Sequence, residues 1–321
     1  MEKPYVVGID IGGQTAKIGI VDARGNVLDQ TAIRSDDTTD VNVFIENLSV
    51  AVEKLVAKNY SMDQIRGIGV GIPNGNFYQG TVENAVNLKW GGSNNMIPFA
   101  KLFSERVKLP VRLTNDANAA ALGEMTYGAA RGMKNFIMIT LGTGVGSGIV
   151  VNGSLLYGHD GFAGELGHVT MVRQNGRVCG CGKTGCLETY ASATGVARTA
   201  RERLETTDVK SILRNIPPES ITSKDVFDAA MQGDELAKDI FQFTGKILGE
   251  AFADFVAFSA PEAIILFGGL TKAGDLLYKP VVESMNENLM PLWKGKIKVL
   301  FSTLKESDAA ILGASALAWE L

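Results

Sequence analysis

The segment GIDIGGQTAKIGIVDARGNVL, residues 8–28, has a counterpart later in this chain of 321 residues. The second segment, MITLGTGVGSGIVVNGSLL at 138–156, repeats the order of strand, glycine-rich turn, strand, polar turn and strand. Gly12 aligns with Gly142, and β-branched residues crowd the strands of both segments. Two such meanders in one chain predict a duplicated fold built from two similar domains.

Helices and strands alternate around the two meanders. Apolar residues recur at helical spacing in several stretches, and short apolar runs are typical of buried strands. The predicted helices span 41–58, 117–125, 191–204, 234–258 and 308–320, and the predicted strands span 65–73, 111–116 and 263–270. This succession of elements predicts an α/β architecture.

The composition indicates a soluble protein of two domains. A length of 321 residues exceeds what one hydrophobic core usually serves. No apolar run approaches the ~18 residues of a membrane span, and a net charge of −4 provides no basic surface for nucleic acid. The first strand pattern begins by Tyr5 and leaves no room for a targeting peptide. We therefore expect a cytoplasmic protein with neither a membrane nor a nucleic-acid partner.

All three cysteines lie within VCGCGKTGC, residues 178–186. Together with the preceding histidine they give the spacing H-x10-C-x-C-x4-C, a Cys3His set that suits tetrahedral zinc. A redox or incidental cluster is the alternative, whereas an odd number of cysteines disfavours disulfides. Four protein ligands leave no open coordination position, so the zinc is predicted to be structural. The predicted ligands are His168, Cys179, Cys181 and Cys186.

The two glycine-rich turns are candidates for phosphate binding. Small residues present backbone N–H groups to an anion without side-chain obstruction, and two such turns suggest a nucleoside triphosphate. Asp10, at the end of the first strand, is a candidate to hold Mg²⁺ directly or through water. A tight hairpin is the alternative explanation for the glycines of DIGG.

A second candidate site lies in LTNDANAA, residues 113–120. Asn115 and Asp116 stand between a predicted strand and a predicted helix, where α/β folds keep reactive groups. An aspartate there is able to accept a hydroxyl proton as the oxygen attacks a γ-phosphoryl group. The alternative is that either residue merely caps the helix.

Three further polar residues bracket the cysteine cluster. Glu165 precedes His168 by three residues, and Glu188 follows the last cysteine by two. A loop fixed by a metal and flanked by carboxylates suits a polyhydroxylated ligand, because rigid acceptors pair with hydroxyls at little ordering cost. Solvated surface charges are the alternative for both glutamates.

Taken together, these motifs resemble the ROK family (repressors, open reading frames and kinases), and above all its bacterial glucokinase-like members. The resemblance covers the chain from end to end. It rests on GIDIGG, GIP, NLKW, TNDANAAALGE, TLGTGVGSGIV, GELGH, CGCGKTGCLE, FGG and AILGASALA, which occur in family order.

The resemblance implies an actin/hexokinase-like (ribonuclease H-like) fold, with two lobes and a cleft that receives ATP, Mg²⁺ and a sugar. It implies that Asp116 is the catalytic base and that Asn115 lies beside it on the sugar. Glu165, His168 and Glu188 match sugar-contacting positions. The positions that match the nucleotide-binding turns are Asp10, Gly12, Gly13, Gln14, Thr15, Gly142, Thr143, Gly144, Gly268 and Gly269.

The lobes predicted on this basis are 1–115 plus 308–321 and 116–307, the latter with a zinc loop at 168–186. Two departures from the family pattern stand out. Gln14 replaces the usual threonine after the paired glycines, and NGNF at 74–77 replaces a glycine and an acidic turn beside the sugar pocket.

The predicted function is ATP-dependent phosphorylation of a hexose, with glucose phosphorylated at its 6-hydroxyl as the leading choice. N-acetylmannosamine, fructose, allose and N-acetylglucosamine are alternative acceptors, and polyphosphate is an alternative donor. A sugar-responsive repressor is a less favoured alternative, because the charge is acidic. The family further implies a homodimer or homotetramer.

Overall fold

The computed structural model describes residues 3–92, 95–305 and 308–321. The strands are β1 (Tyr5–Ile11), β2 (Thr15–Asp22), β3 (Val27–Arg34), β4 (Ile65–Gly71), β5 (Gly75–Asn76), β6 (Thr81–Glu83), β7 (Met96–Ile97), β8 (Val111–Thr114), β9 (Phe136–Leu141), β10 (Val145–Val151), β11 (Ser154–Leu155), β12 (Ala263–Phe267) and β13 (Lys298–Phe301). The helices are α1 (Val41–Ala57), α2 (Phe99–Val107), α3 (Asp116–Tyr127), α4 (Glu188–Ala191), α5 (Ala193–Thr206), α6 (Ser223–Met231), α7 (Glu235–Ser259), α8 (Asp275–Asn288) and α9 (Ala309–Ala318).

The first sheet has the strand order β3-β2-β1-β4-β8. The first three strands form an antiparallel meander, and β4 and β8 continue the sheet in parallel. Successive residues of β1 point to opposite faces, so Val7 and Ile9 pack with Phe44 of α1, while Val6 packs with Ile311 of α9. Helices therefore pack on both faces of this mixed sheet.

Helix α9 approaches this sheet closely because glycines lie beneath it. A methyl group on Gly8 would lie 2.1 Å from the carbonyl oxygen of Ile311, and one on Gly69 would lie 1.9 Å from that of Ala314. Real Cβ atoms do not come this near to backbone oxygen. The absence of side chains at these two positions thus sets the distance between helix and sheet.

Replacing Gly69 with alanine is expected to destabilise the fold by about 1–3 kcal/mol, because the added methyl group must push α9 away from β4. Chemical denaturation of the purified variant measures this cost. Gly269→Ala is the matched control, since a methyl group there meets nothing within 4 Å. Equal stability of the two variants would contradict the packing described here.

The second sheet repeats the order of the first, with strands β11-β10-β9-β12-β13. β12 runs parallel to both β9 and β13, and β10 pairs antiparallel with β11. The two sheets correspond strand for strand, which confirms the duplication predicted from the two meanders. A small sheet of β5, β6 and β7 was not predicted from the sequence.

The longest helix, α7, packs against α8 through small residues. A methyl group on Gly245 would lie 2.6 Å from Cγ of Pro280, and Ser284 donates a hydrogen bond to the Lys246 carbonyl oxygen at 2.8 Å. Among the helices of the described residues, including this 25-residue one, none combines the length and apolarity needed to cross a membrane.

The chain divides into two compact units. The first comprises Met1–Met133, Gly148–Gly164 and Ser302–Leu321, and the second comprises Lys134–Ser147 and Glu165–Phe301. These bounds differ from the predicted lobes, because α3 belongs to the first unit: a methyl group on Gly123 of α3 would lie 2.9 Å from Cα of Gly313 in α9. Residue 307, where the second predicted lobe ends, lies outside the described residues.

Candidate functional site

Asn115 and Asp116 lie where β8 gives way to α3. The Asn115 side chain caps the helix, accepting hydrogen bonds from the backbone N–H groups of Ala117 at 2.7 Å and Asn118 at 3.3 Å. The first helical residue is Asp116, and its Oδ1 accepts a bond from the Ala117 N–H at 2.8 Å. The capping role suggested for this pair therefore falls mainly to Asn115.

Two carboxylates of the first unit lie near each other. A methyl group on Gly71 would lie 3.7 Å from Cα of Asp116 and 3.8 Å from Oδ1 of Asp10. Asp116 is accessible to solvent, yet surrounding protein atoms displace part of the water around its carboxylate, and this burial raises its pKa. Burial and the charge of Asp116 raise the pKa of Asp10 to about 6, against the opposing effect of Lys17.

The turn between β1 and β2 is a tight hairpin. The Gly12 N–H donates to the Thr15 carbonyl oxygen at 2.9 Å, and the Ser35 N–H donates to that of Gln14 at 3.0 Å. A methyl group on Gly13 would lie 2.8 Å from the Asn87 carbonyl oxygen. The hairpin thus needs small residues for its own packing.

The segment 74–77, which departs from the family pattern, lies against the end of β8. A methyl group on Gly75 would lie 2.8 Å from the Thr114 carbonyl oxygen. Asn76 is buried, and its Nδ2 donates to the Asp160 carbonyl oxygen at 2.8 Å, while Phe77 stacks on Tyr157 with ring centroids 4.0 Å apart. The segment therefore adjoins the residue that precedes Asn115.

In the second unit, the turn after β9 borders a cavity of about 430 Å³. Gly142 offers an open surface there, since a methyl group on it would meet nothing within 4 Å. Gly268 has φ of 106°, and a methyl group on it would lie 2.5 Å from the Leu141 carbonyl oxygen, so this position requires glycine. The cavity is lined by Leu141, Gly142, Thr143, Ala193, Ser223, Lys224, Phe227, Asp228, Gly269, Leu270, Lys272 and Ala273.

Helix α6 supplies part of this cavity and was missed in the sequence analysis. It contributes Lys224, Phe227 and Asp228. The local signals are the capping box formed by Thr222 and Asp225, which marks the start of a helix, and the helical spacing of Val226, Ala229 and Ala230. Nothing in these signals indicates which face of the helix borders a ligand.

The structure brings the four predicted zinc ligands together, with all candidate donor atoms within 4.8 Å of one another. Cys179 Sγ lies 3.7 Å from His168 Nδ1, and Cys181 Sγ lies 3.7 Å from Cys186 Sγ. Zinc bonds of about 2.3 Å to sulfur and about 2.0 Å to nitrogen, in a tetrahedron, separate the donors by roughly 3.5–3.8 Å. The donor set and its spacing therefore fit zinc.

The two predicted sugar-binding glutamates lie beside this cluster. Glu188 begins α4; its Oε1 lies 3.7 Å from Cys179 Sγ, and its Oε2 accepts a hydrogen bond from the Val145 N–H at 3.0 Å. Glu165 Oε2 lies 3.9 Å from His168 Nε2. Within the second unit, one carboxylate thus lies beside the imidazole of the metal set and the other lies beside one of its thiols.

These features define a duplicated α/β protein with a loop whose Cys3His set fits a metal ion and with a cavity bordered by glycine-rich turns. The chain belongs to the ROK family, whose family model matches residues 6–320. Its relatives of known structure have the actin/hexokinase-like fold, which confirms the predicted fold class.

The chain is similar to glucokinases over nearly its whole length. It is 38% identical to the glucokinase of Halalkalibacterium halodurans, covering 98% of this chain and 94% of that protein. It is 35% identical to the glucokinase of Thermotoga maritima, over 99% and 98% of the two chains. A solved ROK family glucokinase from Streptomyces griseus, in complex with glucose and AMPPNP, is 32% identical with a TM-score of 0.80 and covers 99% of this chain and 100% of its own.

Proposed function

We propose that this protein is a sugar kinase that transfers the γ-phosphoryl group of ATP to the 6-hydroxyl of glucose. Near-full-length similarity to glucokinases, one of them solved with glucose and AMPPNP, supports the proposal. The structural observation that carries it is the solvent-accessible carboxylate of Asp116, which lies at the start of α3 and near Asp10.

Asp116 acts as the general base. Its carboxylate takes the proton of the glucose 6-hydroxyl as that oxygen forms a bond to the γ-phosphorus, and the bond from this phosphorus to the bridging oxygen of ADP breaks. A raised pKa suits this task, because a base of higher pKa accepts a proton more readily. The role of Asn115 is to hold the sugar beside this base.

Asp10 would hold Mg²⁺, directly or through water. The residues fit such an ion, since the Asp10 carboxylate provides the oxygen donors that Mg²⁺ prefers and the nearby charge of Asp116 adds to the negative charge that the ion would neutralise. When bound, the ion supplies charge neutralisation for the phosphates. The turn at 12–15, including Gln14, lies directly after this carboxylate in the sequence.

The cavity of the second unit receives the nucleoside of ATP, and the turn at Gly142, Thr143 and Gly144 faces the phosphates. A largely apolar wall that includes Phe227 and Leu270 suits a planar base. Polyphosphate has no base and makes no use of such a wall. The cavity therefore favours ATP as the donor.

Filling the cavity is expected to weaken ATP binding. Ala273 is 8% exposed and lines the cavity, so Ala273→Phe places a ring where the adenine base of ATP would sit. We expect the KM for ATP to rise about tenfold or more, which corresponds to the loss of about 1.4 kcal/mol of binding, while the KM for glucose changes little.

Steady-state kinetics with each substrate varied in turn measure this effect. Thr184→Ala is the control, because it changes an exposed residue of the zinc loop and leaves the cavity intact. An unchanged KM for ATP in Ala273→Phe would mean that the adenine base of ATP binds elsewhere.

Glu165, His168 and Glu188 hold the hydroxyls of the sugar; the loop 168–186, which a zinc ion would keep ordered, carries His168 and lies between the two glutamates in the sequence. His168 Nδ1 faces the thiols, which leaves Nε2 on the side of Glu165. With four protein ligands, the ion would be held by His168, Cys179, Cys181 and Cys186 and would supply loop order rather than a reactive water.

A panel of sugars in a coupled assay of ADP release tests the proposal. Glucose is expected to give the highest kcat/KM among glucose, fructose, allose, N-acetylmannosamine and N-acetylglucosamine. Several sugars are compared because the segment 74–77, which departs from the family pattern, adjoins the end of β8. A higher kcat/KM for another sugar would identify that sugar, rather than glucose, as the preferred substrate. The absence of ADP release with every sugar would refute the kinase activity.

A further inference from the structure

Arg177 lies in the metal-bearing loop, two residues before Cys179, and is only 9% exposed. Its guanidinium donates hydrogen bonds to the Thr189 carbonyl oxygen at 2.8 Å, to Thr199 Oγ1 at 2.9 Å and to Glu202 Oε2 at 3.0 Å. The guanidinium also lies over the Tyr190 ring, 4.5 Å from its centroid. Since a buried arginine is costly unless every donor is paired, these contacts fix the loop firmly to α5 and to the residues of α4 before it.

The N-terminal end of α5 is hydrogen-bonded to the glycine-rich turn that borders the nucleoside cavity. The Ala193 N–H donates to the Gly142 carbonyl oxygen at 2.8 Å, and Thr194 Oγ1 donates to that of Thr143 at 2.7 Å. Both bonds come from the first two residues of the helix. One rigid helix thus contacts the metal-bearing loop through its middle and the turn through its first residues.

We propose that Arg177 is a positioning residue that couples the order of the metal-bearing loop to the order of the 142–143 turn. The proposal rests on the function proposed above, which places the sugar at the loop and the phosphates at the turn. When the loop is ordered, Arg177 holds α5 in place, and α5 in turn holds the carbonyl groups of Gly142 and Thr143. Loop and turn therefore become ordered together, and sugar and ATP bind with positive cooperativity.

A second link between loop and turn makes the role of Arg177 separable. Glu188 lies beside Cys179 and accepts a hydrogen bond from the Val145 N–H. This link ends at Val145, whereas the link through α5 ends at Gly142 and Thr143. The amide of Ala193 therefore reports on the arginine link, and the amide of Val145 reports on the glutamate link.

Hydrogen exchange resolved to single amides tests the coupling without any measurement of activity. In the wild type, removing zinc with a chelator is expected to accelerate exchange at both Ala193 and Val145. In Arg177→Met, zinc removal accelerates exchange at Val145 but no longer at Ala193. Arg203→Met is the matched control, because Arg203 lies on α5 and pairs with Asp239 rather than with the loop, and it should respond as the wild type does.

Equilibrium binding of AMPPNP, with and without glucose, gives a second measurement. Glucose should tighten AMPPNP binding to the wild type, and in Arg177→Met this factor should fall about fivefold or more while zinc content stays the same. Thr194→Val removes the hydroxyl at the far end of α5 and should lower the factor as well. It serves as the second variant if Arg177→Met fails to retain zinc or to fold.

The proposal would be overturned if zinc removal still accelerated exchange at Ala193 in Arg177→Met as it does in the wild type. It would also be overturned if glucose tightened AMPPNP binding to Arg177→Met by the same factor as in the wild type. If Arg177→Met does not fold, the same comparison is made with Thr194→Val. A wild-type protein that releases no ADP with any sugar would refute the proposed function instead. The exchange measurement still decides the coupling in that case, because it needs neither substrate.

Discussion

Replacing Asp116 with asparagine is expected to lower kcat by a factor of about 10² to 10⁴, the contribution typical of a general base. The amide has the shape of the carboxylate and retains an oxygen that accepts the Ala117 N–H, a bond of 2.8 Å in the wild type. It lacks the basicity to take the proton of the sugar hydroxyl. Single-turnover measurements at saturating glucose and ATP separate this effect from binding.

The fold of Asp116→Asn should remain intact, because α3 is capped by Asn115 rather than by Asp116. Thermal unfolding at or slightly above the wild-type temperature is expected, since a neutral amide removes the cost of holding a charge among protein atoms. Asp208→Asn, at an exposed position outside the helices, is the matched control and should keep full activity. Near-normal kcat in Asp116→Asn would remove the base from the proposed mechanism.

Removing zinc is expected to raise the KM for glucose at least 10-fold and by up to about 100-fold, because the loop that carries His168 and positions Glu188 loses its order. A chelator or the Cys186→Ser substitution, at a fully buried ligand position, achieves the removal. Glucose binding by calorimetry and zinc content by mass spectrometry are measured on the same samples.

Thr184→Ala provides the control for Cys186→Ser, since Thr184 is exposed in the same loop and is not a predicted ligand. It should retain zinc and bind glucose as the wild type does. If zinc-free protein bound glucose with unchanged affinity, the metal would have no role in holding the sugar-binding residues.

The meanders and the metal set were predictable because their signals are local. Strand, turn and strand follow one another without interruption in 8–28, and three cysteines within nine residues leave few ways to arrange a fourth ligand. The fourth ligand, His168, is separated from Cys179 by ten residues in the sequence, yet its Nδ1 lies 3.7 Å from Cys179 Sγ. Short sequence separation leaves few alternative conformations, which is why such patterns are informative.

The cavity beside Gly142 and the unit boundaries could not be predicted in the same way. The cavity combines Gly142, Phe227 and Leu270, which no periodicity connects, because tertiary packing alone brings them together. Likewise, α3 follows β8 directly in sequence, and its place in the first unit is decided by the close approach of Gly123 to Gly313. A methyl group at either glycine would meet the opposing backbone, and no local pattern reveals that contact.

The position of α9 has a consequence for the order in which a nascent chain can fold. Residues 309–318 cover one face of the sheet built from β1 and β4, above Gly8 and Gly69. During synthesis this face stays bare until the last of those residues has left the ribosome, whereas Lys134–Ser147 and Glu165–Phe301 are already available. The sheet that contains β1 is therefore completed only after the second unit has been synthesised, and its apolar face stays uncovered until then.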